Sequence, residues 1–295
     1  MVLSLVDVAK ERNDYDQVRS YWNTYHCQGS VVSSGGKLYG HYCKNRFCTL
    51  CCSIRKAEII NKYMLVISQW EDTHFLTLTI KACSKKQLKS RVDGLTKAFK
   101  RIKDKMKKRH QRGKGIKLVG VKSMECNFNP IKKTYNPHLH LIVASKEMAK
   151  TLVEEWLKTC TSEFTYRGAQ DYRKVDDTER ALIEIVKYGS EIFTEPDIKN
   201  KMYKKKDRKI YASALHVIFK AMKGKRIFDR FDFSLPKNES YKRGKITVLS
   251  DPQSWSYNIK LADWENESNG KVLTGFKSSF SLELLLRNDI DSEFC

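Results

Sequence analysis

At 295 residues with 41% hydrophobic side chains, the chain is long enough for one large folded domain or two modest ones, and too apolar to be disordered. Its 56 Lys and Arg against 34 Asp and Glu leave a formal net charge of +22, which predicts a polyanionic partner, nucleic acid ahead of an anionic membrane surface. No apolar stretch approaches the ~20 residues of a bilayer span, and residues 1–16 lack the apolar centre of a signal peptide, so a cytoplasmic, reducing location away from the membrane is expected.

In a reducing compartment nine cysteines are not expected to form disulfides, and clustered ones point to metal. Residues 1–65 read as a Cys-rich N-terminal segment with five cysteines between Cys27 and Cys52. Cys43-x4-Cys48-x2-Cys51, with Cys27 upstream, offers four thiolates and one Cys-x-x-Cys knuckle, a donor set that suits structural Zn²⁺. His26, His41 and Cys52 stand as substitutes for one ligand. Lys44, Asn45 and Arg46 make the loop polar, a poor setting for core thiols. Cys83, Cys126, Cys160 and Cys295 are scattered and read as small buried hydrophobes.

From Thr73 the pattern becomes regular. His74–Ile80 alternates Thr with apolar residues and predicts a strand. Ser84 is the expected cap of a long helix ending near His110, with Leu88, Val92, Leu95, Phe99, Ile102 and Met106 as its apolar stripe and a Lys/Arg-rich opposite face. Residues 116–128 read as a second strand, joined by a turn-rich stretch to a third at 137–144. Ser145 is expected to cap a helix over about 146–160. A short strand near 172–175, a helix over about 178–193 and one over 212–222 follow. Residues 236–295 read as an irregular C-terminal tail of unassigned role. Together these predict an α+β fold, a mainly antiparallel sheet packed with helices. There is no Gly-rich Lys-Ser/Thr phosphate loop, which excludes an attached nucleotide-driven helicase.

Two histidines one residue apart on a strand project from the same face, so His138 and His140 supply half of a divalent-metal site. Glu125, on the partner strand of the predicted hairpin, is the candidate third ligand. Two imidazoles and a carboxylate leave positions open for a substrate phosphate oxygen on Mg²⁺ or Mn²⁺. On the helix beginning at Thr178, Glu184 and Tyr188 lie one turn apart, away from Leu182, Ile185, Val186 and Phe193. A phenol can attack phosphorus, and a carboxylate can act as general base. The chain has 14 tyrosines, and spacing alone does not choose among them. The basic runs Lys97–Lys117 and Lys199–Arg208 could track a phosphate backbone.

Taken in order, these segments resemble the HUH endonucleases, specifically the single-tyrosine Rep proteins that initiate rolling-circle replication of small bacterial plasmids. The resemblance covers about residues 40–232. Phe75-Leu76-Thr77-Leu78-Thr79 is similar to the family's first motif, Pro137-His138-Leu139-His140-Leu141 to its metal-binding motif and Glu184-Ile185-Val186-Lys187-Tyr188 to its nucleophile motif. Cys43–Cys51 resembles the family's upstream Cys-rich stretch, and Lys220–Arg226 its segment after the catalytic helix. Where the family carries Lys three residues after the nucleophile, this chain has Glu191. The resemblance implies a nicking domain over 66–235 that acts on single-stranded or hairpin origin DNA, cutting and rejoining one strand through a 5′-phosphotyrosine on Tyr188. Glu184 then activates water or the final hydroxyl. It also implies a host helicase and polymerase as partners and leaves a homo-oligomer open. Two other readings fit the same residues: a relaxase or insertion-sequence transposase with the same chemistry, and a zinc-stabilised DNA-binding regulator whose histidines are structural.

Overall fold

A computed structural model describes residues 2–40, 42–186, 207–236, 251–258, 261 and 263–275. Helices α1 (Val2–Glu11) and α2 (Tyr15–Tyr25) open the chain. Leu5, Val6, Val8 and Ala9 on the first and Tyr21 on the second are buried, since short helices gain most of their stability by covering one another's apolar stripe. A hairpin of β1 (Ser30–Ser34) and β2 (Lys37–Gly40) follows, then α3 (Thr49–Ile67). The chain divides into two compact units, and the division falls inside α3: Met1–Ile54 groups with Pro236–Cys295, and Arg55–Leu235 forms the second unit.

The second unit holds the segments read as regular in the sequence. It contains β3 (His74–Thr79), α4 (Leu88–Gln111), β4 (Gly120–Asn129), β5 (Thr134–Val143), α5 (Lys146–Thr159), β6 (Asp171–Lys174), α6 (Thr178–Ile185), α7 (Asp207–Met222) and β7 (Asp229–Phe231). The sheet order is β6-β3-β5-β4-β7, with every neighbouring pair antiparallel. The fold is therefore α+β with a mainly antiparallel sheet. Leu76 and Leu78 of β3, Met124 of β4 and Leu139 and Leu141 of β5 share one buried face. Helix α4 covers that face. Its Thr96 hydroxyl reaches the Met124 sulfur at 3.9 Å, and Lys122 lies over the Phe99 ring. All six stripe residues of α4 are buried as expected. Helix α5 lies beside it: buried Glu155 holds Lys105 of α4 at 2.6 Å and Arg109 at 3.7 Å. Ser145 caps α5 by accepting from the Met148 amide.

Three expectations need correction. Ser84 does not cap α4, which begins at Leu88. The Cys83 backbone is held by reciprocal bonds to Tyr135, so the chain turns before it can coil, and the Ser84 hydroxyl bonds the Gln87 side chain instead. Strand β4 begins at Gly120 rather than 116, opposite the last residue of β5, Val143. The C-terminal residues are not irregular throughout. β8 (Gln253–Asn258) and β9 (Asp263–Asn266) extend the first unit's sheet in the order β2-β1-β8-β9. Only Trp255 is buried in β8, so the strand has almost no period-two apolar signal. Trp255 donates to the Ser33 hydroxyl at 2.8 Å and Trp264 to the Gln28 carbonyl at 2.7 Å.

Gly120 is where β4, β5 and β7 meet. A Cβ there would lie 2.5 Å from the Ile142 carbonyl oxygen and 2.7 Å from the Phe231 ring. Gly120→Ala should destabilise the second unit by about 1–3 kcal/mol. Urea unfolding followed by tryptophan fluorescence measures this, and an unchanged midpoint would show that the strands spread without cost.

Candidate metal centre

The face of the second unit's sheet opposite α4 carries the candidate ligands. Antiparallel register sets Glu125 of β4 directly across from His138 of β5, and His138 across from Thr79 of β3. The next row is Ser123, His140 and Thr77. Residues directly opposite share a face, so two adjacent rows put the carboxylate and both imidazoles together. The two Nε2 atoms are 3.1 Å apart, and Glu125 Oε2 lies 3.8 Å from His138 Nε2 and 3.6 Å from His140 Nε2. Each of these three residues can offer one ligand atom within 4.8 Å of the others.

The second ring nitrogens are also engaged. His138 Nδ1 donates to the Asn136 carbonyl at 3.0 Å; a carbonyl only accepts, so Nε2 is left as a lone pair aimed at His140. His140 Nδ1 bonds the Thr77 hydroxyl at 3.0 Å. Two ring nitrogens this close need a shared proton or cation between them. Glu125 Oε1 is buried and has no hydrogen-bond partner among the described residues, which leaves an acceptor that a cation would satisfy. Burial pushes the His138 pKa down, the neighbouring His140 pushes the same way, and Glu125 only partly opposes them. His138 is thus neutral near pH 7, the form that ligates metal. The residues present fit a divalent ion.

A second cluster lies in the first unit. Cys27 and Cys43 flank the β1–β2 hairpin, Cys48 immediately precedes α3 and Cys51 sits in its first turn. The four sulfurs lie within 4.8 Å of one another, with Cys27–Cys51 at 3.5 Å and Cys43–Cys51 at 3.7 Å. A tetrahedral site with bonds of about 2.3 Å spaces its sulfurs about 3.8 Å apart, so the cluster is close to that shape. Backbone amides already donate to two sulfurs, Cys43 to Cys27 and Asn45 to Cys43. Burial drives the Cys27 thiol up to about 12 and raises Cys48 as well. Burial also opposes ionisation of Cys43, but the Asn45 amide and the three neighbouring thiols outweigh it and hold Cys43 below the ordinary thiol range. Cys52 takes no part: its thiol donates to the Arg46 carbonyl. His26 stacks on Trp22, and His41 lies outside the described residues.

Glu184 is half-buried on α6, which lies against β5 with Leu182 and Ile185 buried beneath it. Tyr188 lies outside the described residues, as do Phe193, Glu191, the run 199–206 and Cys295. Tyr172 pairs with Leu76, so it belongs to the helix-covered side of the sheet and not to the histidine side. The second unit holds 42 of the 56 basic residues but 21 of the 34 acidic ones, so nearly all the excess charge accompanies the histidines. Lys225 pairs with Asp93 and Arg226 with Asp229, which gives the Gly-Lys-Arg segment a role in docking the end of α7. Thr77 and Asn136, which orient the two rings, were not singled out in the sequence. Their traces were the place of Thr77 in the segment Phe75–Thr79 and the position of Asn136 two residues before His138.

The model of a family described as "Replication protein" matches residues 37–231. A Staphylococcus aureus "Protein rep" is 31% identical over 170 residues, covering 52% of this chain and 71% of that protein. Relatives of the same name from Streptococcus pneumoniae and Bacillus amyloliquefaciens are 32% and 25% identical, covering 37% and 58% of this chain and 35% and 50% of their own length. No solved structure matches the chain. No described helix is long and apolar enough to cross a membrane.

Replacing Thr77 by Val keeps the side-chain shape but removes the hydroxyl on His140 Nδ1. Mn²⁺ affinity, followed by titration calorimetry, should fall about 10–100-fold. Unchanged affinity would mean that packing against Phe75 alone orients the ring.

Proposed function

The chain belongs to the replication protein family, and from that premise we propose that it starts rolling-circle replication of a plasmid by nicking and rejoining one strand of its origin. The observation that carries this reading is the Glu125–His138–His140 group, whose buried carboxylate oxygen has no partner among the described residues, on the unit that holds nearly all the excess positive charge. Mg²⁺ or Mn²⁺ held there would polarise the scissile phosphate and offset the charge that develops on it. Glu125 and the two Nε2 atoms supply the ligands, and Thr77 and Asn136 fix the rings so that neither turns away.

Tyr188 is the nucleophile in this reading, three residues beyond the end of α6. Its phenolate oxygen attacks phosphorus in line and the P–O3′ bond breaks. The freed 3′ oxygen takes up a proton and becomes the primer hydroxyl, while the 5′ phosphate stays on the tyrosine. Glu184, four residues earlier in the chain, would accept the proton of the water or hydroxyl that later releases the adduct. The excess positive charge of this unit would draw the DNA strand towards it.

The Cys27–Cys43–Cys48–Cys51 group would hold Zn²⁺, pinning the β1–β2 hairpin to the start of α3. Cys48→Ser should cut bound zinc from about one per chain to near none by atomic absorption and lower the thermal midpoint. Zinc retained in full by that variant would remove Cys48 from the ligand set.

With labelled single-stranded DNA carrying the replicon's own origin and Mn²⁺, the wild type should give a protein–DNA band on a denaturing gel, and EDTA should abolish it. Tyr188→Phe should bind the DNA equally well and form no adduct. An adduct from that variant would assign the nucleophile to another tyrosine. Binding without nicking at any Mn²⁺ concentration would favour the regulator.

A further inference from the structure

A cavity of about 620 Å³ opens beside the metal rows, in the same unit. Its floor continues the histidine face of the sheet. Thr79 belongs to the row of His138 and Glu125, and Asn127 and Asn136 form the next row along β4 and β5. Two residues of strand span about 7 Å, so the floor lies about that distance from the histidines. Asn136 touches both features: its carbonyl accepts from His138, while its side-chain oxygen accepts from the Thr79 hydroxyl at 3.2 Å.

The far wall is the segment 162–169, which carries Phe164 and Tyr166. It is fixed before any ligand arrives. Gln170 accepts from the Thr79 amide, and its own amide group bonds the Thr79 carbonyl, the Thr165 hydroxyl and the Tyr166 carbonyl. The Lys81 amide donates to the Phe164 carbonyl at 2.7 Å, and Arg91 of α4 stacks on the Phe164 ring at 3.9 Å. Gly168 makes room for Tyr166, because a Cβ there would lie 3.1 Å from its ring. Tyr166 is nevertheless 68% exposed, a large aromatic left in water at the mouth of a polar cavity. Lys81 and Lys132 line the same opening, against a single carboxylate, Glu163.

Aromatic faces, side-chain amides and a basic rim, held in place in advance, match the chemistry of one ligand class. We infer that this cavity is a nucleobase pocket, which takes the unstacked base of the single-stranded nucleotide adjoining the linkage held at Glu125, His138 and His140. The base stacks on Tyr166, the Asn127 and Asn136 amides bond its edge, and Lys81 and Lys132 meet the flanking phosphates. The volume suits one nucleotide with its sugar. The pocket would then choose which linkage reaches the metal, so the same strand face supplies both cleavage and its position. The inference rests on the nicking reading for the kind of DNA it meets, but its test does not.

The full chain is titrated in EDTA with a short fluorescent single-stranded oligonucleotide of mixed sequence, and with one of the same length made wholly of abasic sites. The wild type should prefer the base-bearing strand by about tenfold or more. Tyr166→Ala and Asn127→Ala should each cut that preference at least fivefold and leave abasic binding unchanged, and Tyr166→Phe should restore it. Tyr166 is exposed enough for the alanine variant to fold, which circular dichroism checks. Equal affinity of the wild type for the two strands, or a preference retained in both alanine variants, would overturn the pocket. Adduct formation with Mn²⁺ is scored separately, so a failed pocket with an intact adduct, or the reverse, tells the two readings apart.

Discussion

The register between β4 and β5 is the constraint on which the candidate metal centre depends. Side chains alternate with a period of two, so a slip of one residue would turn Glu125 to the face covered by α4 and put Met124 beside the histidines. Burial of Met124, Leu139 and Leu141 under α4 forbids that slip, because it would expose an apolar surface and bury a carboxylate. The apolar half of the sheet therefore enforces the geometry of the polar half. Gly120 belongs to the same device: without a side chain it lets β5 and Phe231 of β7 close on β4 at the end of the ladder.

Around the triad, the elements that orient the ligands also build its surroundings. Asn136 accepts from His138 through its backbone and binds Thr79 through its side chain, so ring orientation and cavity floor share one residue. Gln170 fastens the far wall to the same strand end. Such shared supports favour a site formed before its ligand binds, which avoids the ordering cost at the moment of binding. The cysteine unit is built on another principle. Its sheet is small and draws one strand pair from each end of the described sequence, and its four clustered thiols lie where a bound metal would add order that a small apolar core does not supply.

Much of this was legible in the sequence because the informative residues lie close together along the chain. His138 and His140 are two apart on one strand, and the stripe of α4 is long and regular, so period alone placed both. Glu125 was reachable through the hairpin, since a short turn fixes which residues face each other. Ser145 was legible as a cap because its partner is three residues away, whereas Ser84 was misread because Tyr135, 52 positions distant, holds Cys83 and delays the helix. Strands β8 and β9 gave no signal, because β8 buries one side chain and pairs with β1 more than 200 positions earlier, and β9 is a short edge strand built on β8.

Composition, periodicity and ligand spacing by themselves determined a basic α+β chain, one strand bearing paired imidazoles and a Cys-rich segment with the Cys48-x2-Cys51 knuckle. Those properties are local, and local sequence fixes them, whereas the choice of Cys27 and Cys43 over Cys52 as their companions came from the tertiary structure. The tertiary structure alone decided that Thr77 and Asn136 orient the rings, that Tyr172 sits on the wrong side of the sheet, and that segment 162–169 walls a cavity beside the metal rows. It also decided that residues 253–266 complete the sheet of the cysteine unit. Apart from the Asn136–His138 contact, which lies within one strand, these depend on residues far apart in the chain meeting across strands, and no local pattern encodes which distant backbone a strand will pair with.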